Sequence, residues 1–594
     1  MSRSKPLVLG AGAVLVAGLA ACAGGPARDD GGNGDRTGGT RAYVEMGAAR
    51  RDADRRGPAP EVEGAVEGGT LTVYLPGAPG PDTLDPSEAF SAIGNPIQQA
   101  LVSRSLTQYA RGEDGETVLV PDLATDLGRH NEDYTEWTFT IRDDATWEDG
   151  SSVTAEQVAF GICRSLDAGE FPAGPGAQYS RTYFAGAEGY LGPYSGEDPT
   201  CRDWPGISVD GQDITLEMSR PFPDMDYYGA SMAMGPVPVG DASAPGDYKL
   251  RPLANGPYRV ERWDPAEQLV LVRNEEWDAG SDPARHQYPE RWVFKFSQDQ
   301  AKVDEIMLSD SPRGRAAIAT AVGSGRYEEA SSSLGERLVQ TPTDCVSTLA
   351  PDYDKVADVR VRRALAHAFP YRDVWIAGGE VPDVTRVPAS SVMPPGMAGR
   401  HDVRVGGAQT GYDPARSREL LAEAGHADEP YPITMIYYEV DDQARAAQEQ
   451  ITKGFEAGGF SVRAIPVQES PYNVWLDPDD PLNQKLDVRG ASLCPLWPGG
   501  SAILPTLLRT GALLNTAGFS EQSVDDEMDR IAMLPVDEQA AAWGALDEKI
   551  MSTWFPVIPI AYINRLFVFG TDVGNPSGDS SMGTPNYKDL YLER

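Results

Sequence analysis

A chain of 594 residues is too long for one small core, and 41% hydrophobic with 8% aromatic content is the composition of a globular protein with several domains or lobes. A formal net charge of −38 excludes nucleic acid and anionic lipid as charge-driven partners, because both need clustered Lys and Arg. The same acidity either keeps an exported protein soluble or favours a cationic cargo.

The chain begins as a targeting segment. Arg3 and Lys5 precede an apolar run at 7–19 that is shorter than the ~20 residues of a membrane span, and Leu19-Ala20-Ala21-Cys22 follows. That ending is similar to a bacterial lipobox, in which residues 1–21 are removed and Cys22 is lipidated. Two or more acyl chains on Cys22 would hold the protein on the outer face of the cell membrane. Residues 22–67 are rich in Gly, Arg and Asp with few large apolar side chains, the composition of a flexible tether.

Gly68-Gly69 opens the folded body, and Leu71, Val73 and Leu75 alternate as a first strand. A helix is expected at 97–106. Trp137, Phe139 and Ile141 alternate with polar residues as a half-buried strand, and Gly150 permits the turn after it. Thr154 and Gln157 then form a capping box flanked by the apolar pair Val153 and Val158. Alternation on both sides of Asp210-Gly211 predicts a hairpin, and two more strands flank Pro265. From Asp358, an amphipathic helix places Val361, Leu365 and Ala368 inward with its arginines facing elsewhere, and Pro370 ends it. Asp413 caps the next helix, Pro414 suits its first turn and Gly425 stops it. Strand 433–438, helix 444–457 and strand 460–467 predict an α/β region, and a buried apolar run occupies 556–569.

Several of these stretches carry a resemblance. EWTFTIRDDATWEDGSSVTAEQVAFGICRSL at 136–166, Asp82-Thr83-Leu84-Asp85-Pro86, Val120-Pro121-Asp122-Leu123-Ala124, NGPYRVERWDPAEQLVLVRNEEWD from Asn255, DVRVRRALAHAF from Asp358, and PVIPIAYINRLFVF from Pro556 stand in order along the chain. The set resembles the extracellular solute-binding proteins of the peptide-binding type, family 5, which serve ABC importers. The resemblance implies an α/β fold of the two-lobed periplasmic-binding-protein type (type II, large peptide-binder variant) with a hinge and a central cleft. It places the first lobe at 68–338 plus 558–594, with an inserted subdomain at about 97–205, and the second lobe at 339–557. Crossovers are expected near 339–349 and 555–560. It further implies a monomer that takes a small-molecule or peptide ligand, works with ABC permease and ATPase subunits, and needs no cofactor.

Beyond Cys22 there are four cysteines, Cys163, Cys201, Cys345 and Cys494, which allow three pairings in an oxidising compartment. Pairing Cys163 with Cys201 and Cys345 with Cys494 keeps each bridge within one implied lobe. The five histidines show no metal-ligand spacing, and no HExxH, GxSxG or phosphate-binding glycine loop occurs. The resemblance places the main ligand-specificity stretch at 486–501. Peptide binders of the family carry an aspartate for the ligand α-amine just beyond the cysteine; here Leu496 stands in that position. Trp497 is the first candidate for a ligand contact, with Leu496, Leu493, Ser492, Arg489, Phe90 and Asn95 as further candidates. A sugar, opine or metal-chelate cargo, a lipid-anchored hydrolase and a surface adhesin are the alternative readings.

Overall fold

The computed structural model describes residues 50–112, 115–172, 174–196, 198–246, 248–404 and 411–593. The leader, Cys22 and most of the expected tether lie outside the described residues.

The protein is a two-lobed α/β structure organised around one nine-stranded sheet. Its strands run in the order Val488–Leu493, Leu338–Pro351, Ile558–Phe569, Ala317–Ala319, Thr70–Pro76, Arg291–Gln298, Gln268–Arg273 and Tyr258–Asp264, with Arg386–Pro388 also paired to Ile558–Phe569. Thr70–Pro76 is the first alternating strand of the sequence, and it lies parallel to both its neighbours. Its inward residues Leu71, Val73 and Leu75 pack with Trp292, Phe294 and Phe569 into one core. On the other side of the molecule Leu365, Trp375, Ile433, Phe455, Ile503 and Ile550 belong to a second core. There Tyr431–Tyr438 and Phe460–Val467 are parallel and joined by helix Asp442–Ala457, as the strand–helix–strand pattern requires.

Two antiparallel strands, Leu338–Pro351 and Ile558–Phe569, run from one half of the sheet to the other. Their register breaks twice: between Pro342 and Val346, where Thr343, Asp344 and Cys345 oppose Ile563 alone, and between Ser347 and Thr348, where Ile560 is the extra residue. The bulge at 343–345 lies within the first expected crossover. On the returning strand one break falls at Ile563 and the other at Ile560, the last residue of the expected 555–560.

The signature stretch folds as its local chemistry dictates. Thr154 accepts from the Gln157 amide at 3.3 Å while the Gln157 side chain accepts from the Thr154 amide at 3.1 Å, capping helix Ala155–Arg164. Val153 and Val158 are both buried beside it. Arg164 leaves that helix to meet Asp85 with both nitrogens at 2.6 Å, joining two of the sequence motifs in the core. The hairpin at Asp210-Gly211 pairs back onto Glu136–Thr140 in a four-stranded sheet.

Three expectations need correction. The helix expected at 97–106 ends at Val102, after α-turn Gly94–Ile97 and wider π-turn Gln98–Val102, because Ser103 becomes extended and Arg104 enters an ionic cluster. The described end of the tether, from Arg50, is docked. Arg50–Arg51 pairs with Thr117–Pro121, Arg51 bonds Asp226 and lies 4.3 Å above the Tyr227 ring, and Ala59 is buried. Backbone pairing and charge, which low apolar content does not report, hold it. Arg362 does not face solvent with the other helix arginines: it is buried and donates to the carbonyls of Val356, Trp554 and Phe555.

The disulfides join Cys163 to Cys201, with Cα atoms 6.2 Å apart, and Cys345 to Cys494, with Cα atoms 4.1 Å apart. The second ties the bulge to the segment that follows strand Val488–Leu493.

Asp122 of the Val120–Ala124 motif sits in a buried ionic cluster, 2.6 Å from Arg104 and 3.0 Å from Arg285. Asp282 completes it, 3.1 Å from Arg285. Burial works against its charge, yet Arg285 and Arg104 hold the Asp282 carboxyl down at about 2. Asp122→Asn should cost about 3–5 kcal/mol in urea unfolding, since it leaves two buried guanidiniums to share the single carboxylate of Asp282. A cost below about 1 kcal/mol would contradict this role.

Candidate functional site

A narrow cleft, part of it open to solvent, lies where the two lobes face one another. Tyr109 and Thr117 line it from the first lobe, Asp344 from the bulge, Pro495 to Pro498 from the second lobe, and Ser580 and Ser581 from the C-terminal stretch. Tyr109 lies on strand Thr107–Arg111, and its hydroxyl donates across the cleft to the Leu496 carbonyl at 3.4 Å. Burial pushes that phenol well above its ordinary range, with Tyr227, Asp226 and Asp344 adding to the rise. Buried Lys588 holds the Tyr109 carbonyl at 2.7 Å and Asp579 at 2.8 Å, fixing the C-terminal hairpin against this wall.

Trp497 reaches out of the second lobe into the first. Only 2% exposed, it meets Phe222, Tyr179, Tyr228 and Tyr183 edge-on at ring-centroid distances of 5.6, 5.9, 6.1 and 6.4 Å. Its indole nitrogen donates to Ser501 at 2.9 Å, and Ser501 donates to Asp224 at 2.5 Å. Burial pushes the Asp224 carboxyl up to about 6. Trp497 and Ala502 thus belong to the same hydrophobic core as Trp137 and Phe160. This contact packs the stretch after Cys494 against rings that stand between positions 179 and 228.

Of the seven ligand candidates read from the sequence, Leu496 and Trp497 line the cleft. The others serve elsewhere. Arg489 is buried and committed to Asp352 at 2.9 Å and to Asn483, so it fixes a loop. Leu493 belongs to the second-lobe core. Ser492 bonds Ser347 across paired strands at 3.0 Å. Asn95 accepts from Gln99 at 3.0 Å within its own helical turn. Phe90 touches Tyr179 edge-on at 6.1 Å and stands one ring removed from Trp497. Sequence reasoning missed Tyr109, Thr117 and Asp344. The first two lie on ordinary-looking strands; Asp344 carried a signal, a lone acid beside a cysteine in an otherwise Thr- and Val-rich strand.

Among the described residues no group of three or more His, Cys, Asp or Glu side chains is placed to hold a metal ion, and no helix is long and apolar enough to cross a membrane.

If Trp497 is an inter-lobe core residue, Trp497→Ala should lower the unfolding free energy by about 3–5 kcal/mol. A loss below about 1 kcal/mol would instead make it an exposed cleft wall.

The comparisons agree with this architecture. Residues 118–511 match the family model of bacterial extracellular solute-binding proteins, family 5 Middle. The periplasmic oligopeptide-binding protein OppA of Escherichia coli (strain K12) is 22% identical over 509 residues, covering 84% of this chain and 89% of its own length. The periplasmic murein peptide-binding protein MppA of the same organism is 23% identical over 518 residues, with the same coverage of both chains. Among solved structures, the clavulanic acid biosynthesis oligopeptide binding protein 2 superposes with a TM-score of 0.78 at 22% identity, covering 92% of this chain and 99% of that one. The chain therefore belongs to the bacterial extracellular solute-binding proteins of family 5.

Proposed function

We propose that this protein is a lipid-anchored extracellular receptor that captures a peptide-like or other medium-sized organic solute between its lobes and delivers it to an ABC permease. The single observation that carries the reading is a cleft walled from both lobes at the bulge of the paired crossover strands. A site built this way is completed only when the lobes approach, so binding and closure are one event. The activity is capture and release, without covalent chemistry, and the receptor works as a monomer.

The anchor reading rests on Leu19-Ala20-Ala21-Cys22 after a short apolar run. Lipid on Cys22 would hold the body near its permease, and the segment before Arg50 would supply the reach. The names of OppA and MppA favour a peptide-like cargo, whereas Leu496 at the aspartate position argues against recognition of a free α-amine by that loop.

Native mass spectrometry of protein purified from its own host should show a co-purifying organic solute released on mild unfolding. Repeated recovery of solute-free protein, with no thermal shift in a peptide and metabolite screen, would overturn the receptor reading and favour an adhesin.

A further inference from the structure

Asp344 is unusual among the acids of this region. Asp85, Asp122, Asp282 and Asp579 are buried with Arg or Lys beside them. Asp344 forms no ion pair with a described residue, and its Oδ1 is sealed from solvent without a hydrogen-bond partner. A carboxylate oxygen in that state is costly unless a partner arrives. Its place is set by the fold. Thr343 donates to the Ile563 carbonyl at 2.7 Å and accepts from the Cys345 amide, and Cys345 is bonded to Cys494. The bulge residue between them is thereby held in the cleft wall, as bulges re-aim side chains. Burial alone lifts its carboxyl to about 6, leaving it ionised at neutral pH.

Leu496 lines the same cleft. The acid absent from the loop after the second-lobe cysteine is therefore present nearby, on the crossover strand. We propose that Asp344 pairs with a positively charged nitrogen of the captured solute, an ammonium or guanidinium, and so makes the cleft selective for cationic organic solutes. This rests on the receptor reading above. It gives the unpartnered oxygen its partner, and a chain of net charge −38 attracts such a solute at long range.

The test is isothermal titration calorimetry of the folded protein with four probes: trialanine, N-acetyl-Ala-Lys-Ala amide, N-acetyl-Ala-Arg-Ala amide and the uncharged N-acetyl-trialanine amide. At least one cationic probe should bind about tenfold or more tighter than the uncharged one, and Asp344→Asn and Asp344→Ala should each remove that advantage. Equal binding of cationic and uncharged probes by the wild type, or undiminished cation preference in the variants, would overturn the inference and leave the receptor reading standing. Failure of the wild type to bind any of the four would overturn the inference, while the receptor reading is decided separately by native mass spectrometry and the thermal-shift screen. If both variants unfold, as circular dichroism would reveal, the wild-type contrast between charged and uncharged probes still decides.

Discussion

The antiparallel pairing of Leu338–Pro351 with Ile558–Phe569 is the constraint from which the site follows. These two strands belong to one sheet with the strands of both lobes, so the lobes cannot be placed independently. Their hydrogen-bonded register breaks where Thr343, Asp344 and Cys345 oppose Ile563. A regular ladder resists bending, and the bulge supplies the local irregularity about which the halves can turn. The same irregularity places an acid, Asp344, in the cleft wall.

Around that hinge the family-like motifs act as scaffold. Asp85 of one motif binds Arg164 of the signature helix, and Asp122 of another bridges Arg104 and Arg285. Arg362 of helix Val359–Ala368 holds the carbonyls of Trp554 and Phe555, just before the returning crossover strand. Each buried charge here has its counter-charge or its carbonyls, which is the condition for tolerating it in a core. Such networks add specificity of assembly more readily than raw stability, which explains why these motifs contact one another and leave the cleft to other residues.

Much of this was legible in the sequence where local chemistry decides structure. The capping box at Thr154, the Asp413-Pro414 helix start, the Asp210-Gly211 hairpin and the strand at 460–467 all follow from rules acting over a few residues. Long-range partners were less legible. Arg362 and Arg489 read as surface or ligand-facing side chains, since a sequence does not show which distant carbonyls surround an arginine. The docking of Arg51 on Asp226 was hidden by a composition that resembles a tether. Within the site, Trp497 was legible as a cleft residue, while its packing was not, being fixed by rings more than 250 residues away in sequence. Asp344 was missed because a bulge, and not a motif, gives it its direction.

In this account, closing the lobes buries Trp497 in the first lobe, completes the cleft and seals the captured solute. Small-angle X-ray scattering before and after adding the solute recovered from the host tests that claim directly. The radius of gyration should fall on saturation; an unchanged profile with a saturating ligand would contradict closure by the hinge.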